Sequence, residues 1–376
     1  MTKTTNALVC RACGKREDMD APIWKCSCGG LLDLDFNPVF DKEAIAARKP
    51  DMWRYREALP VGEGHEVSFG EGFTPLLPLG FGGREVLVKQ EQLFPSGSFK
   101  DRGASVLVSK ARELGVAAVV EDSSGNAGAS VAAYCARAGI ACDIYVPEST
   151  AAGKLAQIQW CGARLVKTPG SREDTARAVL RAAETTFYAS HCYNPYFFHG
   201  TKTWAFEVAE QLGWEAPDTC VLPAGNGTLL LGASIGFREL LAAGVIDRLP
   251  KLVAVQSTAC APLAASFAKG TDEMVPFDAT ETLAEGIAIA EPVRGPQILD
   301  AVRETGGAFL TVSEREIVAA LRLVCARGHY IEPTSAAAVA GAIRYAGSAP
   351  KDERIVSVFT GHGLKTTEKM LALLEK

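Results

Sequence analysis

Residues 95–103 read Pro-Ser-Gly-Ser-Phe-Lys-Asp-Arg-Gly, and Lys100 stands just ahead of a helical pattern. An amine at such a position is a nucleophile and a proton carrier once burial lowers its pKa, and it suits an aldehyde cofactor. The alternative interpretation is an ordinary surface lysine at the start of a helix. Residues 95–103 alone leave both interpretations open, so the surrounding chain decides between them.

Short apolar segments alternate with helical patterns from about residue 85 to the end of the chain. The pattern predicts strands at residues 85–89, 117–121, 141–146, 163–166, 186–189, 219–222, 251–255 and 355–359. It predicts helices at residues 102–114, 125–138 and 202–212, and one that ends near residue 241. This alternation is typical of an α/β protein with a parallel, doubly wound sheet.

Two glycine-rich turns follow predicted strands: Ser123-Ser-Gly-Asn-Ala-Gly128 and Pro223-Ala-Gly-Asn-Gly-Thr228. The second turn precedes a helix, so its N–H groups suit a phosphate; the candidate residues are Gly225, Asn226, Gly227, Thr228 and Leu229. The amide of Asn126 can donate to a phenolic oxygen at the edge of a cofactor ring. The alternative interpretation of the second turn is an ordinary strand-to-helix turn, and that of Asn126 is a helix N-terminal cap.

The Lys100 segment, the two glycine turns and Phe359-Thr-Gly-His-Gly363 together resemble the threonine-synthase-like branch of the fold-type-II pyridoxal-phosphate (PLP) enzymes. This resemblance implies that Lys100 holds PLP and that the hydroxyl of Thr360 is the neutral partner of its pyridine nitrogen. Such a partner leaves the nitrogen largely unprotonated, which favours elimination and replacement. His362 could touch the same site, although a histidine at a strand end is more often structural.

The resemblance also implies two doubly wound domains with PLP between them. We expect a small inserted domain at residues 99–203, a large PLP-binding domain at residues 37–98 and 204–376, and an N-terminal element at residues 1–36. Since open sheets bind ligands at the carboxyl ends of their strands, we expect the cofactor there.

Threonine synthase converts O-phosphohomoserine to threonine and so must bind the phosphate of its substrate. One segment of this chain departs from the sequence that is usual there. In Ser190-His-Cys-Tyr-Asn-Pro-Tyr-Phe-Phe-His-Gly-Thr-Lys202, Cys192 stands at the usual hydroxyl position and Phe197 at the usual Arg position. Loss of a guanidinium removes the best phosphate clamp. A polar pocket could be rebuilt by other residues, so the substrate candidates are Ser123, Ser124, His191, Asn194, Tyr196 and Lys202.

Three hypotheses for function follow. The first is a threonine-synthase-like PLP lyase, in which Lys100 moves protons at Cα and Cβ of a small amino acid. The second keeps the cofactor but acts on an unphosphorylated or β-substituted amino acid, as a threonine/serine-type ammonia-lyase or a β-replacement enzyme. The third is a non-catalytic binding protein on a PLP scaffold, against which the joint presence of Lys100, Asn126 and Thr360 argues.

Four cysteines near the start form two close pairs, Cys10-x-x-Cys13 and Cys26-x-Cys28. Four thiolates from two tight turns can bind Zn²⁺ tetrahedrally, which predicts a zinc-ribbon-like element with a structural metal. The alternative is a pair of turns with inert thiols. Many threonine-synthase-like chains begin with a similar element.

Composition restricts the partners and the compartment. The 376 residues are 48% hydrophobic and carry a net charge of −5, which argues against nucleic acid or an anionic membrane as partner. We find neither a signal peptide nor an apolar run long enough to cross a membrane. Since seven of the eleven cysteines are scattered singly, we expect a reducing cytoplasm. We also expect a homodimer.

Overall fold

The computed structural model describes residues 6–81 and 83–374, which divide into two compact units. The first unit comprises Met1–Gly72 and Lys100–Thr201, and the second comprises Phe73–Phe99 and Lys202–Lys376. The chain passes from one unit to the other three times: after Gly72, before Lys100 and before Lys202.

The strands of the described residues are, in chain order, Ala7–Cys10 (β1), Arg16–Asp18 (β2), Leu32–Asp35 (β3), Leu76–Phe81 (β4), Arg84–Lys89 (β5), Ala118–Glu121 (β6), Ala141–Pro147 (β7), Arg164–Thr168 (β8), Phe187–Tyr188 (β9), Thr219–Pro223 (β10), Lys251–Ser257 (β11), Ala308–Val312 (β12) and Ile355–Val358 (β13). The α-helices are Lys42–Ala47 (α1), Lys100–Glu113 (α2), Asn126–Ala138 (α3), Ala152–Trp160 (α4), Arg172–Ala182 (α5), Pro195–Thr201 (α6), Thr203–Gln211 (α7), Thr228–Ala242 (α8), Pro262–Ala268 (α9), Gly295–Glu304 (α10), Glu314–Cys325 (α11), Pro333–Ala346 (α12) and Thr367–Leu374 (α13). Short 3-10 helices lie at Met52–Ala58, Glu91–Leu93, Glu285–Ile287 and Gly363–Thr366.

The first unit contains two sheets. Strands β8-β7-β6-β9 form a four-stranded parallel sheet, and β2-β1-β3 form a small antiparallel sheet at the N-terminus. Helix α3 ends at Gly139, whose φ of 70° is the left-handed conformation that glycine adopts readily. Buried apolar side chains of both sheets and of α2 and α3 form one core.

The second unit is built on a six-stranded sheet of order β12-β11-β10-β13-β5-β4. All neighbours are parallel except the edge pair β4 and β5, which is antiparallel. Every residue of β10 and β13 is buried, as the inner strands of a sheet covered on both faces require. The mixed α/β architecture predicted from the sequence is confirmed.

Residues 37–72 group differently from the predicted division, which placed them in the larger domain. In the structure they belong to the first unit, because three hydrogen bonds attach them to α2. Ser109 Oγ accepts from the Val67 N–H at 2.7 Å, and Ser105 Oγ donates to the Val67 carbonyl at 2.8 Å. Trp53 Nε1 donates to Ser105 Oγ at 3.0 Å.

Two findings bear on the predicted environment. All eleven cysteines carry free thiols. In the part of the chain that the structure describes, no helix is both long and apolar enough to span a bilayer.

Candidate active site

Lys100 is the first residue of α2 and is half-buried. Its Nζ lies 5.6 Å from the centre of the Phe197 ring. The residue after it holds the start of the helix in place, because the buried Asp101 carboxylate accepts a hydrogen bond from Ser130 Oγ at 2.5 Å. The lysine therefore projects from a fixed helix end in the first unit.

Helices α2 and α6 approach each other closely through two glycines. A Cβ on Gly103 would overlap the Phe197 ring, and a Cβ on Gly200 would overlap the Arg102 carbonyl. The ring of Phe197 is consequently buried against the helix that begins with Lys100. The resemblance implies an Arg at position 197. The phenylalanine found there is instead part of the packing around Lys100.

The predicted turn at residues 123–128 connects β6 to α3 in the first unit. The Gly125 N–H donates to Ser123 Oγ at 3.2 Å, and Asn126 begins α3. A Cβ on Gly128 would overlap the Ser123 carbonyl oxygen, so this close turn requires glycine there. Ser123, Ser124 and Asn126 are all half-buried.

In the second unit, residues 224–227 connect β10 to α8. A Cβ on Gly225 would lie 2.8 Å from Ile287 Cα, and Gly227 has a φ of +68° with no room for a side chain beside Ile298. The loop is therefore restricted to glycine at both positions. It leads into Thr228, the first residue of a 15-residue helix, where backbone N–H groups and the helix dipole favour an anion.

Thr360 follows β13 and is buried in the second unit. Its Oγ1 donates to Glu332 Oε1 at 2.9 Å and lies 2.9 Å from Ser335 Oγ. Since the one hydroxyl hydrogen points to a carboxylate, Thr360 offers a lone pair rather than a proton to a further group. The role implied by the resemblance would need that hydrogen to point to an unprotonated ring nitrogen instead. His362 caps the following 3-10 helix, because its Nδ1 accepts from the Leu364 N–H at 3.2 Å.

Three of the predicted substrate residues have partners inside the fold. Asn194 Nδ2 donates to the Tyr188 carbonyl at 3.3 Å, and its Oδ1 accepts from the Tyr196 N–H at 3.2 Å. Tyr196 Oη donates to the Met19 carbonyl. In the second unit Lys202 Nζ lies 2.8 Å from the Glu239 carboxylate, and burial lowers the pKa of Lys202. These contacts give all three side chains a structural role.

A buried acid beside the lysine was not singled out from the sequence. Glu121, the last residue of β6, is fully buried, and its Oε1 lies 2.7 Å from His191 Nδ1. Burial raises the pKa of Glu121 to about 8, although the positive charge of Lys100 opposes the rise. The signal in the sequence is the acidic pair Glu121-Asp122 directly after an apolar strand and before Ser-Ser-Gly-Asn.

The four N-terminal cysteines converge as predicted from their spacing. Their Sγ atoms all lie within 4.8 Å of one another; Cys10 and Cys28 are 3.5 Å apart, and Cys13 and Cys26 are 3.8 Å apart. Zn–S bonds of about 2.3 Å in a tetrahedron place sulfur atoms about 3.8 Å apart, so the cluster fits that metal. Gly30 permits the closure, since a Cβ there would lie 2.7 Å from Cys10 Sγ.

Comparison with known proteins identifies the family of this chain. Residues 67–361 match the family model described as "Pyridoxal-phosphate dependent enzyme". The threonine synthase of Methanocaldococcus jannaschii is 40% identical over 383 residues, covering 98% of this chain and 95% of that protein. The threonine synthase of Methanosarcina acetivorans is 37% identical, covering 98% and 94%.

Among solved structures, the processed form of threonine deaminase isoform 2 from Solanum lycopersicum superposes with a TM-score of 0.70. It is 23% identical and covers 92% of this chain and 97% of that chain, so the likeness concerns the fold. The resemblance stated from the sequence motifs is confirmed by these comparisons.

Proposed function

The chain belongs to the pyridoxal-phosphate dependent enzymes, in their threonine-synthase-like branch, and we propose that it converts a small amino acid by elimination and replacement. The leading reaction is that of its curated relatives, for which we propose O-phosphohomoserine as substrate and threonine as product. The observation that carries this proposal is Lys100, half-buried at the start of α2. Lys89 and Lys202, by contrast, are fully buried in ion pairs with Glu207 and Glu239.

The predicted residues suit the chemistry of the parts of the cofactor. The N–H groups of Gly225, Asn226, Gly227, Thr228 and Leu229 would hold the phosphate at the start of α8. Asn126 would donate to the phenolic oxygen, and the Thr360 hydroxyl would turn from Glu332 to donate to the unprotonated ring nitrogen. When bound, PLP withdraws electrons from Cα of the substrate.

The protein supplies positioning and proton transfer. Lys100 would take the proton from Cα and return a proton to the carbon chain, as its place at a fixed helix end allows. Ser123 and Ser124, at the N-terminus of α3, would bind the substrate carboxylate, because a helix N-terminus favours an anion.

A second candidate function is elimination from an unphosphorylated or β-substituted amino acid. The observation that favours it is Phe197, a buried apolar ring at the place where a phosphate-binding Arg is usual. Parallel assays separate the two candidates: one measures phosphate release from O-phosphohomoserine, the other 2-oxo acid release from serine and threonine. Borohydride reduction should also abolish the visible absorption of lysine-bound cofactor; a protein without that absorption would contradict both candidates.

We also propose a structural zinc held by Cys10, Cys13, Cys26 and Cys28, supported by the convergence of their Sγ atoms. A cytoplasmic location is supported by the seven cysteines outside this cluster, whose free thiols a reducing compartment would preserve. The homodimer rests on the family resemblance, and light scattering of the purified protein tests it.

A further inference from the structure

Glu121 and His191 form a hydrogen-bonded pair that the roles proposed above do not use. The Glu121 side chain is 0% exposed and that of His191 is 13% exposed, with 2.7 Å between Oε1 and Nδ1. Backbone N–H groups of Asp122 and His191 also bond to the Glu121 carboxylate, while its buried second oxygen meets no side chain. A fully buried carboxylate bonded to an imidazole is costly to keep in a fold, so the pair calls for a functional explanation.

The pair lies beside the proposed catalytic lysine within the first unit. The ring of His191 is 6.1 Å from that of Phe197, and Lys100 Nζ lies 5.6 Å from the centre of the same ring. The charge of Lys100 acts on the Glu121 carboxylate. Imidazole and lysine thus share one phenylalanine ring, and the carboxylate is bonded to the imidazole.

Other titratable groups near Glu121 do not share its proton. Asp122 accepts from Tyr188 Oη at 2.8 Å, and burial raises the pKa of Tyr188 well above its ordinary value. The pKa of the Cys135 thiol is also raised well above its ordinary value, chiefly by its contact with Cys142. Both groups therefore stay protonated, and the proton that changes place is that of Glu121 and His191.

The geometry fixes what His191 can present to a substrate. One proton lies between Glu121 Oε1 and His191 Nδ1, so a second proton on the pair is carried as an N–H at Nε2. Because burial raises the pKa of Glu121 to about 8, the form with two protons persists near neutral pH. The pair is an acid whose outer atom is Nε2.

We propose that His191, held by Glu121, is the general acid for a leaving hydroxyl group, which makes β-hydroxy amino acids a substrate class of this enzyme. In this step the Cβ–O bond breaks and its electron pair stays on oxygen. The oxygen takes the Nε2 proton and departs as water, while Lys100 takes the Cα proton. Exchange with solvent then returns the proton from Lys100 to the pair. A phosphate leaves without such an acid, whereas hydroxide needs one.

This inference rests on the proposed function, since it requires Lys100 to be the site of chemistry. The test compares a β-hydroxy amino acid, serine, with β-chloroalanine, whose chloride leaves without a proton. His191→Gln should lower kcat for 2-oxo acid release from serine by roughly 10²–10⁴-fold and leave β-chloroalanine nearly unchanged. The matched control is His65→Gln, a half-buried histidine of the same unit, which should change neither rate.

Glu121→Gln provides a second variant with a readout that a merely structural role would not change. It keeps the size of the side chain but has no carboxyl proton to share with His191, so the acid form of the pair should be lost at a lower pH than in the wild type. The alkaline limb of kcat for serine should move down by about one pH unit or more. NMR titration of His191 in the holoenzyme should show the same shift without turnover.

The possible outcomes distinguish a failure of the acid role of His191 from a failure of the proposed function. If His191→Gln lowers kcat equally for serine and β-chloroalanine, or lowers it for neither, the proposed acid role of His191 is wrong. If the wild type releases phosphate from O-phosphohomoserine and is inert with serine, the inference fails while the proposed function stands. If borohydride fixes no cofactor on Lys100, the proposed function itself fails.

Discussion

The buried ion pair between Lys89 and Glu207 should be among the most sensitive points of the second unit. Both side chains are 0% exposed, and Lys89 Nζ lies 2.8 Å from Glu207 Oε2. The same ammonium donates to the Thr74 carbonyl at 2.5 Å and to Gln211 Oε1 at 2.9 Å. Lys89→Met removes the cation with little change in volume and leaves the Glu207 carboxylate buried without its counter-ion.

The expected cost follows from that burial. Removing one partner of a buried pair typically destabilises by about 3–5 kcal/mol, because the remaining charge has no compensation. For a unit of roughly 200 residues, 1 kcal/mol corresponds to about 2–4 °C in Tm. We therefore expect Lys89→Met to lower the Tm of the second unit by roughly 6–20 °C.

Differential scanning calorimetry of the holoenzyme measures this shift. The matched control is Lys251→Met, since Lys251 is 50% exposed and lies 4.0 Å from Glu353 in the same unit. Exposed pairs contribute about 0–1 kcal/mol, so this Tm should change by a few degrees at most. The double variant Lys89→Met/Glu207→Met should be less destabilised than Lys89→Met alone. A Lys89→Met Tm equal to that of Lys251→Met would refute the reasoning.

Three further predictions concern the candidate site and the metal. Lys100→Ala should abolish cofactor attachment and nearly all turnover, and mass spectrometry after borohydride treatment of the wild type should find the pyridoxyl group on Lys100; an adduct on Lys89 or Lys202 would overturn the assignment. Metal analysis of chelator-free protein should find about one zinc per chain, and Cys26→Ser should lower thermal stability without changing the cofactor spectrum; a metal-free protein of full stability would support inert turns. The wild type should use O-phosphohomoserine more weakly than the resemblance implies, by roughly ten- to a hundredfold in kcat/KM, because a lost charge-assisted contact typically costs about 1.5–3 kcal/mol; a high wild-type kcat/KM with serine and threonine inert would contradict this expectation.

Elements with a local signal could be predicted from the sequence. The alternation of apolar strands and helices places β6, α3 and β10 within a residue or two of their observed bounds. The spacing of Cys10, Cys13, Cys26 and Cys28 was enough to predict that their thiols meet. In each case the decisive information lies within a few residues of the chain.

Partners that lie far apart along the chain could not be predicted. Asn194 and Tyr196 read as free polar groups, yet Tyr196 bonds to Met19, 177 residues away. Glu121 and His191 are separated by 70 residues and meet only because β6 and β9 are neighbours in the sheet. The order of strands in a sheet cannot be predicted from local sequence periodicity. These contacts therefore become visible only in the three-dimensional structure.

The packing of Phe197 on Gly103 has a consequence for how substrate preference can evolve. With the ring in place, any side chain at position 103 collides with it, so a Gly103 substitution is deleterious in this background. After replacement of Phe197 by a residue that can turn away, the same substitution meets less resistance. The two positions are therefore expected to show epistasis, with non-additive effects on stability. A lineage that acquires a side chain at position 103 would have to alter position 197 first, so the order of these two mutations matters.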